Sequence, residues 1–78
     1  MDQVEDKVIE LVTMTYRKKP GEVSCATSFV DDLDTRSVLK VGLISLVEDE
    51  FDITFPLIEA DRCKTVGEMV DEIKKRTS

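Results

Sequence analysis

Ser37 is the residue of this chain whose type and position most readily support chemistry. It stands immediately before an apolar run of helical spacing, where an N-cap residue belongs. A serine there has its hydroxyl beside the free N–H groups of the first helical turn. Other reactive groups are few. The chain has no histidine, so the commonest general base is missing, and the chain itself is not expected to be an enzyme. Its two cysteines, Cys25 and Cys63, fall short of the roughly four ligands of a structural zinc site, and no metal is expected. Cys63 lies between Arg62 and Lys64, neighbours that would favour its thiolate if it were exposed. Gly21, Gly42 and Gly67 are scattered and form no phosphate loop.

Four helical pieces must position Ser37. Val4, Val8, Leu11, Val12 and Thr15 mark one face of a helix running from about Asp2 to Arg17. Asp2, Glu5 and Asp6 in its first turn and Arg17, Lys18 and Lys19 at its end complement the helix dipole, and Pro20-Gly21 is expected to stop it. Residues 20–36 read as a long ordered loop whose Val23, Phe29, Val30 and Leu33 need burial. Ser28 or Thr27 caps a short turn within it. From Ser37 a second helix follows the face Val38, Val41, Ile44 or Ser45, Val47 or Glu48, and Phe51. Leu39, Leu43 and Leu46 add apolar residues that one neighbour cannot cover, so this helix is either central or presents a contact patch. Glu48, Asp49, Glu50 and Asp52 then crowd its C-terminal end against the dipole, which points to solvation or partner contact. Pro56 disfavours helix at Phe55, and Leu57 to Asp61 make one helical turn. Thr65, with Glu68 three residues on, opens a last helix with the face Val66, Met69, Val70 and Ile73.

These pieces predict an all-α fold: a small antiparallel four-helix bundle, three main helices and one short one, with a long first loop. Residues 1–78 make a single domain. Hydrophobic residues at 41% exclude a chain that stays solvated. A formal net charge of −6 argues against nucleic acid and anionic lipid as partners; it either keeps a small protein soluble or, where it serves recognition, calls for partners with basic patches. No apolar run approaches the roughly 20 residues that span a bilayer, so no stable membrane insertion is expected. Asp2, Glu5 and Asp6 close behind Met1 do not read as a secretory leader, so a cytoplasmic monomer with reduced thiols is expected.

Ser28-Phe29-Val30-Asp31-Asp32-Leu33, with Ser37 four residues after Leu33, resembles the run that precedes the modified serine of acyl carrier proteins. Glu48-Asp49-Glu50-Phe51-Asp52-Ile53, followed by Phe55-Pro56, resembles that family's acidic run before its short helix. Thr65-Val66-Gly67-Glu68-Met69-Val70 resembles the start of its last helix. The resemblance extends from Asp2 to about Lys75. It implies that 4'-phosphopantetheine, transferred from coenzyme A, is attached covalently to Ser37. Acyl groups are then carried as thioesters on that arm and presented to the enzymes of fatty acid, lipid or polyketide-type synthesis. The implied partners are a phosphopantetheinyl transferase and acyl-loading and acyl-using enzymes with basic or apolar docking patches. A phosphodiester on Ser37 would sit at the positive end of the helix dipole, with Arg36 a candidate phosphate contact. Val38, Val41, Ile44, Phe51, Leu57, Ile58 and Met69 are candidates to line a cleft for the acyl chain, each of them also ordinary core material. Leu39, Lys40, Leu43, Leu46, Glu48 and Asp49 are candidates for partner contact.

The chain departs from the family pattern around the serine. Asp-Ser-Leu is usual there, whereas this chain reads Arg36-Ser37-Val38. Asp34 replaces a customary glycine, and Leu39 and Gly42 replace acidic residues of the face with which the family docks basic partners. A specialised carrier with its own partners is the leading expectation. The alternatives are an unmodified carrier-like domain that works by protein contact, and a thiolation domain, whose usual Gly-Gly pair before the serine is absent here.

Overall fold

A computed structural model describes residues 3–33 and 37–77, with residue 37 described for its backbone only. Four helices follow in order: α1 (Gln3–Thr15), α2 (Ser37–Phe51), α3 (Leu57–Arg62) and α4 (Val66–Thr77). No strand occurs among the described residues beyond one isolated antiparallel bridge, Ser28 with Thr65. α1 packs on both α2 and α4, while α3 packs on α2. The expected small helical bundle is what forms.

The core collects the inward faces of these helices. α1 contributes Val8, Leu11 and Val12, and α4 contributes Val66, Met69, Val70 and Ile73, in the expected stripes. Burying each such side chain fully contributes about 1.5–3 kcal/mol. α1 ends earlier than its basic cluster suggested. Arg17 takes a left-handed conformation (φ 55°), Lys18 N–H donates to Thr13 C=O at 2.9 Å and Arg17 N–H donates to Met14 C=O at 3.3 Å. This paired-carbonyl cap closes the helix at Thr15 and leaves the basic residues 17–19 beyond the last turn. Pro20-Gly21 instead forms a tight turn in which Glu22 N–H donates to Lys19 C=O at 3.0 Å, with Gly21 at φ 90°.

The long loop is held at both ends of its apolar segment. Ser28 Oγ accepts the N–H groups of Val30 and Asp31 at 3.2 and 3.0 Å, and the Asp32 carboxylate accepts Ser28 N–H at 2.8 Å. The capped turn directs Phe29 and Leu33, four residues apart, into the core. Val30 faces outward, contrary to the expectation of burial, because it lies on the opposite side of that turn. Phe29 N–H then donates to Lys64 C=O at 2.9 Å and Val66 N–H to Thr27 C=O at 3.0 Å, which fastens the loop to the start of α4.

Candidate functional site

Ser37 is the first residue of α2, the longest helix. Its placement follows from the loop: once Phe29 and Leu33 are buried, few residues separate Leu33 from the helix start. The first turn of α2 contains no carboxylate and includes Lys40. Fifteen aligned peptides therefore present a positive N-terminal end that no acidic side chain of that turn offsets. This chemistry suits an anionic group esterified to the serine. Arg36, the expected phosphate contact, lies outside the described residues, as does the side chain of Ser37.

The acyl-cleft candidates divide. Ile44 and Met69 are core residues, and Phe51 is half-buried against the core. Val38, Val41, Leu57 and Ile58 face solvent at 69, 47, 41 and 64% exposure, so in this conformation they do not line a sheltered cleft with the other three. The cause lies in α2. Its apolar residues occupy all sides, and the neighbours take the stripe of Leu43, Ile44 and Val47, leaving the expected stripe through Val38 and Val41 outside.

The partner-contact candidates divide as well. Leu43 is fully buried, at 0% exposure, and offers nothing to a partner: it is the face of α2 turned to the core. Leu39 is half-buried against the same core, while Leu46 and Asp49 are exposed. Lys40 is turned inward. Its Nζ lies 5.0 Å from the centroid of the Phe29 ring and 3.6 Å from Asp61 Oδ1, so its charge ties the loop, α2 and α3 together. Glu48 is also engaged within the fold, its carboxylate accepting Phe55 N–H at 2.8 Å and its carbonyl accepting Ile53 N–H at 3.3 Å. Sequence spacing carried no signal for either engagement, because both partners come from other elements.

The cysteines are not poised for chemistry. Cys63 is 4% exposed, its thiol near Glu59 C=O at 3.5 Å. Burial, reinforced by the carboxylates of Glu72 and Glu68, pushes its pKa up to about 11. Arg62 and Lys64 are exposed, but Cys63 itself is not, so the exposure on which activation by them depended is missing. Cys25 Sγ donates to Glu5 Oε1 at 3.1 Å, and that bond raises its pKa, with burial adding to the effect. Among the described residues no cluster of His, Cys, Asp or Glu could hold a metal ion, and no helix is long and apolar enough to cross a membrane.

No protein-family model matches the chain. Curated proteins do. The acyl carrier proteins of Rickettsia canadensis (strain McKiel) and Rickettsia rickettsii (strain Iowa) are each 35% identical to it over 77 residues, which is 99% of this chain and 90% of theirs. The acyl carrier protein of Rickettsia prowazekii (strain Madrid E) matches at the same identity over the same shares.

Proposed function

The chain belongs to the acyl carrier protein family, and from that membership we propose that Ser37 carries a phosphopantetheine arm on which acyl groups travel as thioesters. An acyl carrier is not an enzyme: it brings its cargo to enzymes that handle acyl groups. The observation that carries the reading is the position of Ser37 at the head of α2, at the family's distance from the buried Leu33 and in a helical turn free of carboxylates. When bound, the arm supplies the thiol that forms the thioester. The chain's own part is to hold the phosphodiester at the α2 N-terminus and to present the arm to solvent and to partners.

Arg36 adjoins the serine and would pair with the phosphodiester in place of the customary acidic neighbour. The phosphorus NMR signal of the modified protein should shift in Arg36→Ala, and an unchanged signal removes that contact. The sheltering of an acyl chain would draw on Ile44, Phe51 and Met69. The exposed Val38, Val41, Leu57 and Ile58 would join them only through movement of α3 against α2.

The reading is tested by incubating the protein with coenzyme A, magnesium and a broad-specificity phosphopantetheinyl transferase and measuring intact mass. The expected result is the gain of one phosphopantetheine, abolished in Ser37→Ala. No gain in folded protein, with transferases of more than one class, would leave a carrier-fold protein that acts by contact alone.

A further inference from the structure

The surroundings of Ser37 differ in sign from the rest of the chain. From Thr35 to Val47 there is no Asp or Glu, and Arg36 and Lys40 are the charged residues, in a chain of net charge −6. Lys40 follows Ser37 by three residues, so the two positions share a side of α2, about one turn apart. Its side chain is 17% exposed and stands in the seam between α2, the loop and α3. An ammonium has three donors and no acceptor. Phe29 offers this one a ring face at 5.0 Å and Asp61 an oxygen at 3.6 Å, farther than the roughly 2.7–2.9 Å of a charge-assisted hydrogen bond. Among the described residues no oxygen accepts a hydrogen bond from it. Asp61 is mostly in solvent, its side chain 61% exposed, so water can take over its carboxylate.

Hydrocarbon fits this place poorly. Val38, Val41, Leu57 and Ile58 stand in solvent, and a charged pair occupies the seam of α2 and α3. An alkyl chain entering there would part Lys40 from Asp61 and strand a largely buried ammonium, a loss that a few sheltered methylenes do not offset. A carboxylate entering there would bring Lys40 the hydrogen-bonded anion it lacks.

We propose that Lys40 is a recognition site for a carboxylate on the cargo, so that the acyl groups held against this protein's surface are short half-thioesters of dicarboxylic acids. The proposal rests on the carrier reading of Ser37 and adds the class of acyl group. Lys40 receives the terminal carboxylate of a cargo folded back on its arm, in a first turn of α2 whose dipole and lack of acids favour an anion. Asp61 yields Lys40 to the cargo and turns to water, while the Phe29 ring keeps the ammonium in place.

The test loads Ser37 from glutaryl-coenzyme A with a phosphopantetheinyl transferase. In parallel, 5-methylhexanoyl-coenzyme A supplies a cargo of the same shape without charge. NMR reads the amides of the protein and the titration of the glutaryl carboxyl, labelled with carbon-13. Glutaryl cargo is expected to move the amide signals of Lys40 and Asp61, while 5-methylhexanoyl leaves them where the unacylated arm leaves them. The glutaryl carboxyl should titrate about one pH unit below that of free glutaryl-pantetheine, a preference of about tenfold for its charged form. Lys40→Met should return it to the free value, and Lys40→Arg, which keeps the charge, should retain most of the effect. Lys75→Met removes an exposed lysine of α4 and should leave the titration unchanged. If Lys40→Met does not fold, Asp61→Asn decides instead: it frees Lys40 from its competitor at an exposed position and should lower the titration further.

A glutaryl carboxyl that titrates at the free value in the wild type, an equal response to Lys75→Met, or no response to Asp61→Asn would overturn the proposal. So would 5-methylhexanoyl moving the amides of Ile44, Phe51 and Met69 while glutaryl moves none. No loading at all removes the carrier reading, and the proposal with it. Full loading with an unperturbed carboxyl removes the proposal alone.

Discussion

The carboxylate of Glu48, near the end of α2, accepts the backbone N–H of Phe55 at 2.8 Å, seven residues on. This bond fixes the path of the chain where α2 stops and turns toward α3. Asp52 adopts a left-handed conformation (φ 53°), Ile53 N–H returns to Glu48 C=O, and the side chain of the same glutamate then holds Phe55. Phe55 is thereby seated in the core with Arg76 stacked 4.9 Å from its ring centroid. Glu48→Ala should lose about 1–3 kcal/mol of stability, because the half-buried Phe55 N–H is left without its acceptor. Glu48→Gln keeps an acceptor and should lose less. Urea unfolding of the two variants checks the order.

Gly67 and Gly42 should respond to alanine with opposite signs. A Cβ on Gly67 would lie 3.0 Å from the carbonyl oxygen of Cys25 and 3.2 Å from its Cβ, where Gly67 N–H donates to that carbonyl at 2.9 Å. The loop must shift to admit it, so Gly67→Ala should lose about 1–3 kcal/mol. A Cβ on Gly42 meets nothing within 4 Å, and the site is an exposed helix interior. Gly42→Ala should therefore gain about 0.5–1 kcal/mol. Thermal unfolding of both single variants decides it.

The buried thiol predicts an alkaline limit to stability. In the folded protein the Cys63 pKa is raised from 9.0 to about 11, first by burial. Between those values the unfolded chain has released the proton and the folded chain still holds it, so stability falls as pH rises. The contribution is whole below about pH 9 and lost as pH passes about 11. Cys63→Ala should flatten this part of the curve. Thiol labelling at neutral pH should reach the half-exposed Cys25 well before Cys63.

Lys40 predicts a structural effect at what resembles a partner position. Its Nζ serves the Phe29 ring and Asp61 together. Lys40→Met keeps the aliphatic packing and removes the charge, so it should lose about 0.5–2 kcal/mol. Asp61→Asn should lose less, because the ring contact survives. Hydrogen exchange of the α3 amides, faster in Lys40→Met than in wild type, would locate the effect in the α2–α3 junction.

Much of this molecule was legible from local spacing. The stripes Val8, Leu11, Val12 and Val66, Met69, Val70, Ile73 are periodic on helices whose other sides are polar, so one face alone can be buried. Thr65 and Glu68 form the expected reciprocal cap, Glu68 N–H donating to Thr65 Oγ1 at 3.2 Å and Thr65 N–H to Glu68 Oε2 at 3.3 Å. Ser37 opens α2 as its first helical residue, and an apolar run of helical spacing after a polar residue is a local pattern; the cap position before it lies outside the described residues.

What the tertiary structure decided were the choices that local pattern leaves degenerate. α2 is apolar on every side, so its sequence contains no preferred inner face; α1 and the loop selected Leu43, Ile44 and Val47 and left Val38 and Val41 in solvent. Glu48 and Lys40 read as surface charges until Phe55, Phe29 and Asp61 arrive from elsewhere in the chain. The basic neighbours of Cys63 would favour its thiolate only if it were exposed; the fold buries it, and desolvation acts against the charged form wherever water is excluded. Helix existence and helix caps depend on neighbours within about four residues, and sequence displays those directly. Which face is covered, and by which charge, depends on contacts between elements, and only the packed chain supplies them.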